Sequence, residues 1–434
     1  MKKQRAVDLS KELIEDEAFK ARHRHSEKMF MRDRRLPFSL VLTLVLRNSV
    51  KSLQNVVNEA MIWANEDPIT ASAYSQARYK LKYTAFIELN KVAVVDTLYS
   101  DSDYKTFWGF RVLGIDGSKI VLPNNNAICE EFGTIAWTNG KTAEIQGERP
   151  YALASVLYDV LNKVALDTML GKAKAYEIDL AIKHLSHTNT GDLIIMDRNY
   201  PSYRMLSEIY KSKRDFVARC SSSSFSVARQ MLKGEGPDSQ IVTLTPCAGQ
   251  MSSIRELNLP LSITVRFVRV RLSTGEFEVL VTSLLDEILY TTADFLKLYY
   301  LRWEVETFYG LIKTRLELEN FTGIGVEAIR QDFHAAVYLT GLESLLTSSA
   351  QATLDAKETK HPQIVNHAVS FNALKNLAFD LLLSDFDSNI VVQKLTALFL
   401  TNPCIVRKNR NPQRKNSSSR TLLNFHKRIK KHCF

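Results

Sequence analysis

Residues 191–220 read GDLIIMDRNYPSYRMLSEIYKSKRDFVARC, and this stretch decides the fold class. LIIM is a short, wholly apolar run between Gly191-Asp192 and Asp197-Arg198-Asn199. Runs of that length bounded by turn residues form buried strands. SYRMLSEIYKSK then has helical spacing, and DFVARC reads as the next strand. Before them, FWGFRVLGIDGSKIVLP (107–123) has two apolar stretches around Asp116-Gly117 and reads as strand, turn, strand. YALASVLYDVL (151–161) and KVALDTML (163–170) read as further strands, and AYEIDLAIKHLSH (175–187) as a helix. Three strands, helix, strand, helix, strand imply a mixed α/β sheet with helices packed on it.

Further along, Ser-, Gly- and Pro-bearing segments (SSSSFS, KGEGPDS, TPCAGQ) precede SITVRFVRVRLSTGEFEVLVTSL (262–284). Its period-two alternation across Ser273-Thr274-Gly275-Glu276 predicts a β-hairpin, so residues 221–278 read as a β-rich insertion. Residues 292–318 are helical in pattern, as is most of the chain to about 400. Residues 1–105 are helical too: KSLQNVVNEAMIWA (51–64) spaces its apolar residues for a helix, and Pro68 ends it. Thr70 or Ser72 can cap a second helix running from 72 to 95, which carries Arg78, Lys80 and Lys82. The expected organisation is an N-terminal helical DNA-binding or dimerisation domain (1–105), a catalytic α/β domain (106–320), a helical region (321–404) and a flexible basic tail (405–434).

The chain has 434 residues, with 57 Lys+Arg against 47 Asp+Glu and a net charge of +10. Ten of the basic residues and no acidic ones fall in residues 405–434; without those ten, 47 positives face 47 negatives. Such a tail buries no core and suits phosphate contacts, or else merely solubilises the chain. Ordinary globular composition excludes a disordered or fibrous chain. No apolar run approaches the roughly 18–20 residues that cross a bilayer, and the start MKKQRAVDLSKELIEDEAF lacks the apolar stretch of a signal peptide. Five scattered cysteines with no CxxC pair argue against disulfides and zinc. A cytoplasmic, nucleoid-associated protein with no membrane partner is expected. Ser221–Ser224 have no visible His and Asp partners for a hydrolase triad, and no phosphate-binding GxxxxGK[ST] loop occurs. His23 and His25 sit in a charged stretch that reads as solvated.

The chemistry concentrates in YYLRWEVETFYGLIK (299–313). On one helix at about 100° per residue, Tyr299, Arg302, Glu306 and Lys313 share a stripe about 60° wide, opposite Leu301, Val305, Phe308 and Ile312. The same pattern also describes a solvated face with an Arg302–Glu306 ion pair. Asp116 and Asp197 each follow an apolar run, where they serve either as turn residues or as carboxylates delivered by neighbouring strands. Two aspartates and a glutamate brought together form an all-oxygen site suited to Mg²⁺ or Mn²⁺.

Tyr, two residues, Arg, three residues, Glu, six residues, Lys is the signature of the family-four group of DDE transposases of bacterial insertion sequences. Tyr299, Arg302, Glu306 and Lys313 match its spacing. GIDGSKIVLP resembles that group's first-aspartate strand, IIMDRNYPSY its second, FVARC the strand after it, and ENFTGIGVEAIRQDFHAA the stretch beyond the helix. The resemblance covers about residues 30–345. It implies a ribonuclease-H-like core with Asp116, Asp197 and Glu306 as a catalytic triad binding two Mg²⁺ or Mn²⁺ ions. It also implies hydrolysis at transposon ends and attack of the freed 3′-OH on target DNA, by a cut-and-paste route. Arg302 and Lys313 would hold phosphates, Tyr299 the terminal nucleotides of a hairpinned end, and Arg198 and Arg219 the DNA backbone. The implied partners are double-stranded DNA, as terminal inverted repeats and target, and a second copy of the chain. A nuclease that does not join DNA, and a transposase-derived DNA-binding protein without activity, share most of these features.

Overall fold

A computed structural model describes residues 2–32, 35–47, 51–138, 145–272, 275–385 and 387–407. Residues 408–434, nearly all of the basic tail, lie outside the described residues, as do Ser273 and Thr274 of the expected hairpin turn.

Among the described residues nine strands join one sheet. They are β1 (Arg111–Val121), β2 (Thr134–Thr138), β3 (Ile145–Asp159), β4 (Val164–Lys172), β5 (Asp192–Met196), β6 (Asp215–Arg219), β7 (Ser239–Leu244), β8 (Ile263–Arg271) and β9 (Phe277–Thr282). The order is β2-β3-β1-β5-β6-β9-β8-β7, with β4 on β3. Both β1–β5 and β5–β6 are parallel, whereas β6–β9, β9–β8 and β8–β7 are antiparallel. The run β4-β3-β1-β5-β6 places β1 centrally, with β3 and β4 on one side and the parallel strands β5 and β6 on the other. This is a ribonuclease-H-like core. All five residues of β5 are buried, as a parallel strand covered on both faces requires.

Two local expectations change. Asp116-Gly117 makes no turn: β1 runs unbroken through it, and Asp116 Oδ1 accepts a hydrogen bond from the Gly117 N–H at 2.8 Å. The pair has the composition of a turn, but strand pairing holds it extended. Residues 221–278 do not form a sheet of their own. The helices Ser226–Leu232 and Met251–Glu256 interrupt them, and their strands extend the main sheet through β6–β9.

The chain divides into two compact units. One comprises residues 103–118 and 153–309 and holds the parallel strands. The other comprises 1–102, 119–152 and 310–434. In the latter the 30-residue helix Val326–Asp355 is the hub, with Phe333, Tyr338, Leu342 and Leu346 buried, and the Tyr338 hydroxyl bonded to Ser10 Oγ at 2.7 Å.

The helix expected over 72–95 breaks after Ala71–Arg78 and resumes at Thr84–Leu89. Between them the backbone pairs with the N-terminal segment: His25 N donates to Lys80 O and Lys82 N to His23 O. His23, read as solvated, is buried, with one ring nitrogen 2.9 Å from Thr84 Oγ1 and the other 2.7 Å from Glu88.

Arg78 is also buried, so it serves packing. Its guanidinium bonds Asp332 (2.7 Å), Gln331 (2.6 Å), Thr322 (2.6 Å) and the Ala328 carbonyl (3.0 Å). Removing the carboxylate leaves a charge with no counter-ion in a dry site. Asp332→Ala is therefore expected to cost about 3–5 kcal/mol of stability, read as a lowered urea midpoint. A midpoint within error of wild type would contradict this role.

Candidate active site

The parallel ladder between β1 and β5 ends at the pair Ile115–Met196. The next residue of each segment is an aspartate, Asp116 within β1 and Asp197 just past β5, so the register sets the two side by side where the parallel ladder ends. The helix Trp303–Thr314 brings Glu306. It lies hard against β1 because Gly114 has no side chain: a Cβ there would collide with Val305 and come within 3.0 Å of Val160. Val305, Phe308 and Ile312 form the buried face of this helix, as the spacing predicts.

The stripe itself differs from the expectation. The helix Thr292–Tyr300 ends just before Leu301 and Arg302, and a new helix starts at Trp303. That break carries Tyr299 and Arg302 inward, to 4% and 3% exposure, so they do not sit on an exposed face. Arg302 lies among the carboxylates. Its Nη2 meets Glu306 Oε1 at 2.7 Å, and its Nη1 lies 3.9 Å from Asp116 Oδ2. Asp197 also acts on its charge. Its Nε and Nη1 have no hydrogen-bond partner. The Tyr299 hydroxyl donates to Asp197 Oδ1 at 3.4 Å. Burial raises the Tyr299 phenol well beyond its ordinary range, so it stays a donor.

The other expected contact residues are spread out. Arg198 is exposed, and its backbone N–H donates to Asp197 Oδ1 at 2.6 Å. Arg219 Nη2 pairs with Glu278 at 3.0 Å. Trp303 is 41% exposed, with the Arg302 guanidinium 4.8 Å over its ring. Lys313 belongs to the other unit, where its Nζ donates to the Lys119 carbonyl at 2.7 Å and burial lowers its pKa.

Sequence reasoning missed Tyr309, whose hydroxyl is within 3.1 Å of both the Asp116 and Ala154 carbonyls. It thereby ties the Glu306 helix to β1 and β3. Its place three residues after Glu306 was the available signal. Also missed was a relay resembling a hydrolase triad: His184 contacts Ser155 Oγ at 3.0 Å and Asp167 Oδ2 at 2.7 Å. Ser155 is 2% exposed and His184 fully buried, so no substrate reaches them; the relay anchors a helix.

Among the described residues no three His, Cys, Asp or Glu side chains are arranged to hold a metal ion as the chain stands. Arg302 stands between two of the carboxylates, bonded to Glu306 and 3.9 Å from Asp116. The residues nonetheless fit a hard divalent cation. Their donors are all carboxylate oxygens, and the cation among them leaves two of its own nitrogens unsatisfied. The crowding is measurable in Asp116. Burial pushes its carboxyl up to about 6, with Asp197 and Glu177 adding to the rise and the Gly117 N–H and Arg302 opposing it.

A folded-state pKa above the unfolded one means that ionised Asp116 opposes folding above pH 6, and that this penalty fades as pH falls below it. In metal-free buffer Asp116→Asn should melt above wild type at pH 8, a gain of roughly 1–3 kcal/mol. The gap should narrow below pH 6 and close toward about pH 4. Parallel melting curves across that range would contradict a desolvated carboxylate.

The family model described as "Transposase DDE domain" matches residues 108–340, more than half of the chain. Among the solved structures to which the chain shows similarity is the cryo-EM structure of a piggyBac transposase synaptic complex with hairpin DNA. It is 9% identical, with 96% of this chain and 85% of that chain covered, at a TM-score of 0.44. No curated protein matches the sequence. The match over residues 108–340, which contain both aspartates, the glutamate and the helix break that buries Arg302, identifies the chain as a member of the DDE-domain transposase family.

Proposed function

We propose that this chain is an active DNA transposase that cleaves the ends of its own element and joins the freed 3′-OH to target DNA. One observation carries the reading. Asp116 within β1, Asp197 just past β5 and Glu306 on a packed helix lie about a buried, under-satisfied cation that bonds Glu306, stands 3.9 Å from Asp116 and feels the charge of Asp197. A structural ion pair needs one carboxylate; three around one guanidinium leave negative charge for which a metal is the natural partner. Asp116, Asp197 and Glu306 would hold one or two Mg²⁺ or Mn²⁺ ions, which supply Lewis-acid stabilisation of the phosphodiester and its leaving oxygen. Arg302 would then meet a phosphate with the nitrogens now unpaired, and the Tyr299 hydroxyl would keep Asp197 oriented.

The finer assignment to the family-four group of insertion-sequence transposases rests on the spacing of Tyr299, Arg302, Glu306 and Lys313. DNA contacts by Lys313, Arg198 and Arg219, by the helices within 1–105 and by the tail 405–434 belong to the same proposal. So does a dimer holding two transposon ends by a cut-and-paste route.

The test uses purified protein, Mg²⁺ and a labelled duplex bearing the element's own terminal repeat. Wild type should give cleaved ends and joined products. Glu306→Gln should lose both by at least about 100-fold, roughly 3 kcal/mol of transition-state stabilisation, while still binding the duplex. Cleavage without joining would favour a nuclease, and binding with neither activity a relic that only binds DNA. Full activity in Glu306→Gln would overturn the triad.

A further inference from the structure

Glu306 owes its place to the helix that carries it, and that helix is held to the sheet in two different ways. The first is apolar. Val305 is buried against Gly114 of β1, and Phe308 is buried with its ring centroid 5.0 Å from that of Tyr158 on β3. Burial of this kind is non-directional. It decides which face of the helix meets the sheet more firmly than it decides the exact turn of the helix about its axis. The second hold is the Tyr309 hydroxyl, 3.1 Å from the carbonyl oxygens of both Asp116 and Ala154. β1 and β3 are neighbours in the sheet, so this one phenol bridges two adjacent strands. Hydrogen bonds are directional and weaken steeply off axis. Tyr309 is 6% exposed and Ala154 fully buried, so the contact is made away from bulk water.

A buried tyrosine needs a partner for its hydroxyl, and two carbonyls could answer that need and nothing more. Two features tie these contacts to the site. Tyr309 follows Glu306 by three residues, so the two side chains are neighbours one turn apart on the same helix. On β1 the phenol meets the carbonyl of Asp116, the residue whose carboxylate stands 3.9 Å from Arg302 Nη1. The path from the Glu306 backbone to the Asp116 backbone therefore runs through one helical turn and one hydrogen bond.

We infer that Tyr309 is a positioning residue of the reaction. Its hydroxyl sets the turn of the Glu306 helix, and with it the separation of the Glu306 and Asp116 carboxylates that a divalent cation would share. This rests on the metal-dependent reading of Asp116, Asp197 and Glu306 above, and Tyr309 lies outside the spacing of Tyr299, Arg302, Glu306 and Lys313. It acts through the two carboxylates and needs no contact of its own with metal or DNA.

Tyr309→Phe removes the hydroxyl and keeps the ring; Tyr309→His keeps a ring donor on a shorter arm. Both are compared with wild type as full-length protein, with thermal melts to verify folding. Mn²⁺ is titrated into DNA-free protein by calorimetry. Single-turnover cleavage of the terminal-repeat duplex is followed at saturating DNA while Mg²⁺ is varied. Tyr309→Phe should weaken Mn²⁺ binding roughly 10-fold. It should slow saturated cleavage roughly 10- to 100-fold and raise the Mg²⁺ needed for half-maximal rate, with duplex affinity unchanged. Tyr309→His should fall between Tyr309→Phe and wild type, and it decides the question if the Phe variant does not fold. A phenol that serves packing alone would lower the melting temperature and leave Mn²⁺ affinity and Mg²⁺ dependence at wild-type values; that result would overturn the role of Tyr309 and leave the triad standing. Wild type that takes up no Mn²⁺ would overturn the metal reading itself, and this inference with it.

Discussion

Carboxylates crowded into a half-dry space need a positive charge among them, and in this chain Arg302 supplies it. Much of the neighbouring architecture serves that arrangement. The break between the helices Thr292–Tyr300 and Trp303–Thr314 turns the guanidinium inward. Gly114 lets the second helix approach β1 closely enough for Glu306 to join the aspartates. Tyr309 fastens that helix to the carbonyls of Asp116 and Ala154. The guanidinium neutralises its neighbours only in part, since Nε and Nη1 go unpaired and Asp116 is still pushed up to about 6. In the proposed reading, a divalent cation would relieve the charge that Arg302 leaves uncompensated. Electrostatic strain is what a catalytic site retains and a purely structural ion pair relieves.

The register of two parallel strands is the second constraint. Because β1 and β5 pair as far as Ile115 and Met196, the aspartates that follow are neighbours by construction. A slip of one residue would send one of them to the opposite face of the sheet. The apolar residues of β5, buried along its whole length, fix that register from both sides. Hydrophobic packing in the sheet thus sets the distance between two charged groups at its edge.

Much of this was legible in the sequence because it rests on local pattern. LIIM announced a buried strand, the strand and helix alternation announced the sheet, and the spacing of Val305, Phe308 and Ile312 announced the buried face of a helix. The rest depends on partners distant in the chain. Asp116-Gly117 has the composition of a turn, and only pairing within the sheet keeps it extended. Arg302 looks like half of a surface ion pair until the helix break buries it. Arg78 looked like a cation for DNA, yet Asp332, some 250 residues later, claims it.

We propose that Arg302 stands where a divalent cation binds during catalysis. A crystal structure of the full chain grown with Mn²⁺, examined by anomalous scattering, tests it most directly. The account predicts an anomalous peak among Asp116, Asp197 and Glu306, with the Arg302–Glu306 contact opened to admit it. A saturated crystal with no peak there, and with Arg302 still bonded to Glu306, would contradict it.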